Sequence, residues 1–416
     1  MKILYIHQYF STPDGSTGTR SYELAKILIK RGYEVEIICL SDVRAQTGLK
    51  GKFINGLRKG IVEKIFVNEF DISYSNNNKF RRRILNFLLF SWRSSLLVLK
   101  SEADLIYATS TPLTVAIPGI LGKVFKRIPF IFEVRDLWPE LPKELGIIKN
   151  PIILWILDFL ERSAYYFSDA SIGLAPGICN GIRKKSFNKK KIFYIPNSCD
   201  TELFTPLEKN RQKDPSKLKN ISPLLKKTDF VALFSGAHGL CNGLDFLIEV
   251  ALELKLMKRL DIKLILIGEG NCKKKLQDKA KSFKLTNLIF LDSVNKKDLA
   301  YLIKNSVHCG MMILKNVPAF YNGTCPNKFF DYISGGLPVV INYPGWLSEI
   351  IKDEEIGISC DPEKPAEFAR ALIQLKNDNK KYLKFAYNAS KLSRSKYSRK
   401  ELSKKWIKII EKVKKK

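Results

Sequence analysis

Residues 325–342 read CPNKFFDYISGGLPVVIN. From Pro326 onward the apolar spacing is that of a short helix, and a proline in the first helical position lacks only an N–H that has no partner there. The glycine pair Gly335–Gly336 then predicts a tight turn, and the apolar run PVVIN is typical of a buried strand. A helix, a turn and a buried strand in this order predict part of a parallel α/β sheet.

The same alternation continues on both sides of this stretch. Strand-like runs in the first half are KILYIHQYF, EVEIICL, DLIYATS, PFIFEVRDLW, DASIGLAP and KIFYIPNS, and after a polar segment at 206–228 the pattern restarts with FVALFSG, IKLILIGEG, NLIFLDS, SVHCGMMIL and PVVIN. We therefore predict an α/β protein with two doubly wound, Rossmann-like parallel-sheet domains facing each other across a cleft. The predicted domains are residues 1–198 and 199–395, with a helix at 396–416 packing back on the first domain.

Charge and cysteine content restrict the classes of function. The 416 residues include 71 Lys and Arg against 41 Asp and Glu, a formal net charge of +30. This favours anionic partners such as phosphate, nucleic acid or anionic lipid, although a solvated, lysine-rich surface explains it equally well. Without an RNA-binding motif or a basic stripe with regular aromatic residues, the sequence does not favour nucleic acid.

The eight cysteines form no C-x-x-C pair, which is typical of reduced thiols in the cytoplasm. The N-terminus MKILYIHQYF has the pattern of a first strand and lacks the features of a signal peptide. Since no window approaches ~18 uninterrupted apolar residues, we predict no membrane-spanning helix.

A glycine-containing loop follows the first strand of each predicted domain. QYFSTPDGSTGTR contains Gly15 and Gly18, and FSGAHGLCNGLD places Gly236, His238 and Gly239 between a strand and a helix. Glycines allow the backbone to approach a ligand closely, and helix N-termini offer unpaired N–H groups to anions. Each loop alone is as well explained as an ordinary connection, and neither is a dinucleotide fingerprint or a P-loop. Together they predict a phosphate-bearing ligand held between two loops.

Three polar residues share one face of the helix in the opening stretch. Asn327 and Lys328 precede Asp331 by four and three residues. Lys328, near the helix start, can neutralise a phosphate together with free N–H groups, and Asp331, one turn later, can accept hydrogen bonds from two sugar hydroxyls. A solvated charge pair on a surface helix would use the same residues, but the apolar neighbours favour a cleft that binds a nucleotide diphosphate.

The segment DYISGGLPVV resembles the acidic, small-residue, Gly-x-Pro-Val-Val segment of glycosyltransferase family 4, which has the GT-B fold. The resemblance covers nearly the whole chain and includes RGYEVEIICL, FEVRDLWPE, IPNSCD, LILIGEG and GISCDP. FEVRDLWPELP, GAHGLCNGLD and PNKFFDY are most similar to the WbuB-like branch. Enzymes of that branch transfer amino-deoxy sugars, typically N-acetyl-L-fucosamine, in the assembly of bacterial surface polysaccharides such as O-antigen or capsule.

The resemblance implies a retaining transfer from a UDP-sugar, with no metal or other cofactor, to a saccharide acceptor expected to be linked to polyprenyl diphosphate. The donor is expected on the C-terminal domain and the acceptor on the N-terminal one. Asp331 then corresponds to a glutamate that binds the ribose hydroxyls, Lys328 holds the diphosphate, and Gly15 and Gly18 approach the phosphates. The resemblance leaves open a GT-B nucleotide-sugar 2-epimerase, which consumes the donor without an acceptor, and a GDP-sugar, mannosyl-type transferase.

The chain departs from the family pattern at several expected site positions. Gly323 stands where many members have the first of two glutamates, and Ala237 and Asn242 replace an arginine and a lysine. Lys328, His238 and backbone donors would then have to balance the diphosphate charge.

Arg135 stands where a histidine often precedes the aspartate of the FEVRDLWPE segment. We expect Arg135 to stabilise the leaving phosphate or contact the sugar, and Asp136 and Glu140 to meet the acceptor. All three residues are equally compatible with an ion-paired scaffold.

Residues 79–101, KFRRRILNFLLFSWRSSLLVLKS, combine a cationic start with a very apolar helical run. They could lie on an anionic membrane surface, at the inner face of the cytoplasmic membrane, or pack on the sheet as a crossover helix. The sequence does not decide between these two interpretations.

Overall fold

A computed structural model of the chain describes residues 1–42, 44–74, 80–204 and 225–414. The chain divides into two compact α/β units. The N-terminal unit contains Met1–Asn197, Asn322–Cys325 and Leu402–Lys416, and the C-terminal unit contains Ser198–Tyr321 and Pro326–Glu401.

An eight-stranded sheet with the order β3-β4-β2-β1-β5-β6-β7-β8 forms the centre of the N-terminal unit. Its strands are β1 (Lys2–Ile6), β2 (Glu34–Asp42), β3 (Leu57–Val62), β4 (Ile65–Tyr74), β5 (Leu105–Thr109), β6 (Phe130–Val134), β7 (Ala170–Gly173) and β8 (Ile192–Tyr194). The central strands β5 and β6 are buried along their whole length, which explains their continuous apolar sequences.

Strand β3 pairs antiparallel with β4 at one edge of this sheet, whereas the other described pairs are parallel. Sequence analysis did not identify this hairpin. Strand β3, LRKGIV, carries two charged residues and a glycine and is only half-buried. Strand β4, IFVNEFDISY, is interrupted by Asn68, Glu69 and Asp71. Both strands therefore lack the continuous apolar run that predicts a buried strand.

The helices of the N-terminal unit are α1 (Arg20–Lys30), α2 (Phe80–Lys100), α3 (Ala116–Lys126), α4 (Glu140–Glu144), α5 (Pro151–Phe167) and α6 (Pro176–Lys185). The connections β4-α2-β5, β5-α3-β6 and β6-α5-β7 all advance in one direction across the sheet. Because parallel crossovers are right-handed, α2, α3 and α5 lie on one face, where α3 packs against both other helices.

A six-stranded parallel sheet with the order β11-β10-β9-β12-β13-β14 forms the C-terminal unit. Its strands are β9 (Phe230–Ser235), β10 (Ile262–Ile267), β11 (Leu288–Leu291), β12 (Cys309–Met312), β13 (Val339–Ile341) and β14 (Gly357–Ser359). The remaining helices are α7 (Thr201–Phe204), α8 (Asp245–Leu256), α9 (Lys273–Ser282), α10 (Lys296–Ser306), α11 (Pro318–Gly323), α12 (Asn327–Ser334), α13 (Trp346–Asp353), α14 (Pro365–Asn377), α15 (Asn379–Arg394) and α16 (Arg399–Lys414).

Most of the last helix, α16, belongs to the N-terminal unit. The side chain of Trp406 is fully buried, and its Nε1 donates a hydrogen bond to the hydroxyl of Tyr107 on β5 over 2.9 Å. The boundary between the two compact units falls after Glu401, inside α16. Among the described residues, the structure contains no helix long and apolar enough to cross a bilayer.

Candidate functional site

In the C-terminal unit, the candidate site forms around the first turn of α12. Pro326 precedes the helix in an extended conformation, and Asn327 is its half-buried first residue. The side chain of Lys328 lies over the ring of Phe234 at the end of β9, with Nζ 3.7 Å from the ring centre. This places an ammonium group beside a helix N-terminus, where unpaired N–H groups already favour an anion.

Because Gly236 has no side chain, the Lys328 side chain can occupy the space next to it. A Cβ atom built on Gly236 would lie 2.9 Å from Lys328 Nζ, and the residue has a φ of +152°, which side-chain-bearing residues rarely adopt. Gly239 differs, because a Cβ there would meet no atom within 4 Å. The two glycines, equivalent in the sequence argument, therefore have different structural requirements.

Burial alone lowers the pKa of the Lys328 ammonium group to about 7. No carboxylate in the described part of the chain forms an ion pair with Lys328. The half-buried cation therefore lacks a fixed counter-ion, and an anionic ligand would restore its full charge.

His238 completes this side of the site with a fully buried ring. Neither ring nitrogen has a hydrogen-bond partner among the described residues. Burial, followed by the nearby charges of Lys273 and Lys328, lowers the pKa of His238 to about 4, so the ring is neutral near pH 7.

The backbone of the His238 loop is fixed by a second glycine loop that sequence analysis quoted without assigning a function. The His238 N–H donates to the carbonyl of Glu269, and the His238 carbonyl accepts from Cys272, over 2.8 and 2.9 Å. A Cβ on Gly268 would lie 1.9 Å from the Gly236 oxygen, and one on Gly270 would lie 2.4 Å from the His238 oxygen. The GEG sequence after β10 was the available signal, because only glycine permits this approach.

Asp331 lies one turn after Lys328 and is buried. It forms an ion pair with Lys296 at the start of α10, a partner that sequence analysis missed. Burial raises the pKa of Asp331, and the charge of Lys296 opposes this effect. The expected contact of Asp331 with ribose hydroxyls stays a prediction, and it requires the carboxylate to bind hydroxyls and Lys296 together.

In the N-terminal unit, Gly15 is required by packing. A Cβ on this buried residue would lie 2.2 Å from Ser11 Oγ and 2.8 Å from the backbone nitrogen of Gln46. Gly18 is half-buried in the segment that leads to α1. Packing is therefore sufficient to explain Gly15, and the predicted contact of both glycines with phosphates stays a prediction.

The side chain of Arg135, which follows β6, contacts His7, the residue that follows β1. Its Nη1 lies 3.2 Å from His7 Nε2, and His7 Nδ1 lies 2.6 Å from Ser21 Oγ on α1. Burial, then the charge of Arg135, lowers the pKa of His7 to about 3, so the ring is neutral. Nε2 must accept from the guanidinium, and Nδ1–H therefore donates to Ser21. His7 and Ser21 together orient Arg135.

A buried ion pair lies beside this group. Glu133 is fully buried on β6 and pairs with Arg20 over 2.8 Å, while the hydroxyls of Tyr107 and Thr109 donate to the same carboxylate over 2.6 and 2.8 Å. Arg20 lowers the pKa of Glu133 despite its burial. Arg20 also donates to the Pro196 carbonyl, which fixes the end of the N-terminal domain. The sequence FEVRD contained this glutamate, but its arginine partner is distant in sequence.

The residues expected at the acceptor have protein partners. Asp136 accepts a hydrogen bond from the Thr111 hydroxyl over 2.8 Å, and Glu140 pairs with Lys185 over 2.7 Å. Lys185 also pairs with Asp158 and Glu161. Glu140 thus has the ion-paired environment that sequence analysis considered as an alternative. The acceptor-binding role of Asp136 and Glu140 stays a prediction.

Gly323, where a glutamate was expected, has open space around it, since a Cβ there would meet no atom within 4 Å. The neighbouring Asn322 is fixed within the N-terminal unit, because a Cβ on Gly177 would lie 2.3 Å from its carbonyl oxygen. Asn197 Nδ2 donates to the Cys325 carbonyl over 2.6 Å. Among the described residues, no three His, Cys, Asp or Glu side chains form a group that could hold a metal.

Comparisons with known proteins agree with these two units. Residues 17–203 match the family model described as Glycosyltransferase Family 4, and residues 216–392 match the model described as Glycosyl transferases group 1. The chain is therefore a glycosyltransferase with a family 4 domain in its N-terminal half and a group 1 domain in its C-terminal half. No protein among curated sequences matches the chain.

Solved structures with the same fold are only distantly related in sequence. HepE from Anabaena in complex with UDP-glucose is 18% identical, with 100% of both chains covered and a TM-score of 0.72. Sucrose-phosphate synthase from Thermosynechococcus elongatus is 12% identical, with 99% of this chain and 98% of that chain covered and a TM-score of 0.72. WaaG, a glycosyltransferase involved in lipopolysaccharide biosynthesis, is 14% identical, with 98% and 99% covered and a TM-score of 0.66. These similarities establish the GT-B fold.

Proposed function

We propose that the protein transfers a sugar, an N-acetylated amino-deoxy-hexose, from a UDP-sugar to a saccharide acceptor with retention of configuration and without a metal. The observation that carries the proposal is the half-buried Lys328 ammonium group, which has no carboxylate counter-ion in the described structure and lies beside the N-terminus of α12. The structures of HepE with UDP and with UDP-glucose support a nucleotide-sugar donor.

The donor diphosphate would bind where Lys328, the first N–H groups of α12 and the Gly236 loop converge. When the bond between sugar and phosphate breaks, negative charge grows on the leaving diphosphate. A fixed cation and backbone N–H groups directed at that charge lower the barrier, because they need no reorganisation during the reaction. Asp331 would accept hydrogen bonds from the ribose hydroxyls one turn further along α12.

For the acceptor we propose a saccharide carried on a polyprenyl diphosphate, used in the cytoplasm for bacterial surface polysaccharide assembly. The acceptor hydroxyl would attack on the face that the diphosphate leaves, and its proton would pass to a phosphate oxygen. We propose no protein nucleophile for this step. Arg135, held by His7, would approach the leaving phosphate or the sugar.

Release of UDP from a panel of UDP-N-acetyl-hexosamines, with and without a lipid-linked saccharide in EDTA, tests this function. A transferase requires the acceptor and forms a lengthened lipid-linked product. Consumption of the donor at the same rate without acceptor would instead establish a 2-epimerase or a hydrolase. Turnover of only GDP-sugars would contradict the UDP assignment and leave the GT-B transferase class intact.

A further inference from the structure

The N-terminal unit exposes two apolar helix stripes on the same face of its sheet. The described side chains of α2 expose large apolar residues at helical spacing, namely Leu85, Leu88, Trp92, Leu96 and Leu99. Helix α5 exposes a second set, namely Ile152, Ile153, Trp155, Ile156, Phe159 and Tyr166. Only the first of these helices, α2, stands out in the sequence as a possible membrane-binding segment.

Each helix already buries a different face against its own unit. On α2, Phe90 and Val98 are completely buried, and on α5 Ala164 and Tyr165 have the same role. The exposed stripes are therefore additional to the faces that the core requires. Exposed apolar surface of this extent on one side of a monomer normally marks an interaction site. Sheet packing thus explains one side of α2 and leaves the other side unexplained.

The two stripes belong to one surface. Helix α3 lies between α2 and α5 and packs against both, and it adds the exposed Val124 and Phe125 at its end. The outer faces of these helices all point away from the same face of the sheet, as their right-handed crossovers require. We name the exposed apolar residues of α2, α3 and α5 the apolar face.

Positive charge borders the apolar face at both ends of its helices. Arg81 and Arg82 are exposed at the start of α2, Lys149 precedes α5, and Arg127 follows α3. Helix α2 contains no acidic residue, and Asp158 on α5 is neutralised by Arg162 over 2.7 Å. An apolar surface bordered by positive charge is not needed to bind a protein partner of ordinary composition. It matches a bilayer with anionic headgroups, because the headgroups attract the cations and the acyl boundary accepts the apolar side chains.

Local contacts stabilise the first turns of α5. Asn150 caps its N-terminus, and the Asn150 side chain accepts hydrogen bonds from the N–H groups of Ile152 and Ile153. The rings of Trp155 and Phe159 stack with their centres 6.2 Å apart. Tryptophan and tyrosine, represented on α5 by the exposed Trp155 and Tyr166, are enriched at the level of lipid headgroups. The cap and the ring stacking thus stabilise the turn that presents Trp155 and Phe159.

We infer that the apolar face docks the protein on an anionic lipid bilayer so that α2 and α5 lie in the headgroup region without crossing it. This inference deepens the proposed function, on which it rests for its biological purpose, because a lipid-linked acceptor is presented at such a surface.

Cosedimentation of the full-length protein with vesicles tests the inference. We expect binding to vesicles of phosphatidylcholine mixed with phosphatidylglycerol, and weaker binding to phosphatidylcholine alone. The double substitution W155S/F159S should lower binding at least about tenfold, since two large side chains lose their apolar contact with lipid. The matched control is L256S/Y387S, which removes two similarly exposed residues of the C-terminal unit and should leave binding unchanged.

Three results would overturn the inference. The wild-type protein could fail to sediment with anionic vesicles, or W155S/F159S could bind as well as wild type. Sedimentation velocity could instead show a dimer that W155S/F159S dissociates, in which case a second copy covers the apolar face. UDP titration of the same proteins separates this inference from the proposed function. If W155S/F159S loses vesicle binding but binds UDP normally, the apolar face is supported as the docking surface. If the wild-type protein binds vesicles but does not bind UDP, only the proposed function is refuted.

Discussion

The ammonium group of Lys328 lies 3.7 Å from the centre of the Phe234 ring, at the start of α12. The ring shields the cation from water and offers its negative π face in place of a carboxylate. This arrangement keeps Lys328 in position without pairing it with a carboxylate. An anion that reaches this position meets a cation, helix N–H groups and a glycine loop at once.

Lys328→Met should lower UDP affinity about 10- to 100-fold, because hydrogen bonds to charged groups contribute about 1.5–3 kcal/mol. It should not lower the thermal midpoint, since methionine fills a similar volume without a half-buried charge. Calorimetric titration measures the affinity, and Lys275→Met on the exposed side of α9 serves as the control. Equal UDP affinity in both variants would remove Lys328 from the site.

Binding of UDP near pH 8 should be accompanied by uptake of protons at Lys328. With a pKa of about 7 the free amine is largely neutral at this pH, and a bound diphosphate raises that pKa and draws a proton in. UDP affinity should therefore fall as the pH rises above 7. Titrations in Hepes and Tris, whose ionisation enthalpies differ, measure the protons. The same titrations on Lys328→Met measure the protons that UDP itself exchanges. If both proteins take up the same number of protons, Lys328 is not the group that becomes protonated.

Gly236→Ala and Gly239→Ala should differ sharply. The first places a methyl group 2.9 Å from Lys328 Nζ and forces an unfavourable φ, at a cost of about 1–3 kcal/mol in unfolding free energy. It should also weaken UDP binding by displacing Lys328. In Gly239→Ala the added methyl group meets no atom within 4 Å, so this substitution should leave the unfolding free energy nearly unchanged. Chemical denaturation compares the pair, and equal stabilities would contradict the described geometry of the loop.

His7 should remain neutral between pH 5 and pH 8, because burial and Arg135 lower its pKa to about 3. Nitrogen NMR should show the proton on Nδ1, which donates to Ser21. His7→Leu should reduce turnover about tenfold or more by releasing Arg135, since catalysis is sensitive to small misplacements. His7→Gln, which can still accept from Arg135, should retain more activity. A His7 ring that titrates near pH 6 would disprove the proposed orientation of Arg135.

Regular patterns made the fold predictable. Continuous apolar strands and helical spacing predicted the parallel strands of both sheets, whereas the hairpin strands Leu57–Val62 and Ile65–Tyr74 are interrupted by polar residues and were missed. In the site, the sequence predicted Lys328 and Asp331 on one helical face. It could not reveal their partners Phe234 and Lys296, because these come from other elements that only folding brings near. His7 likewise gave no local sign of its link to Arg135.

Calorimetric titration of UDP and GDP in EDTA, on wild type and on Asp331→Ala, tests the central claim most directly. We predict that UDP binds the wild type without metal and that the variant loses this binding. The thermal midpoint of the variant and of Asp331→Asn must show a folded protein, since Lys296 loses its partner in both. Unchanged UDP affinity in a folded Asp331→Ala variant would contradict ribose recognition by Asp331, and absence of UDP binding to wild type would contradict the donor site at α12.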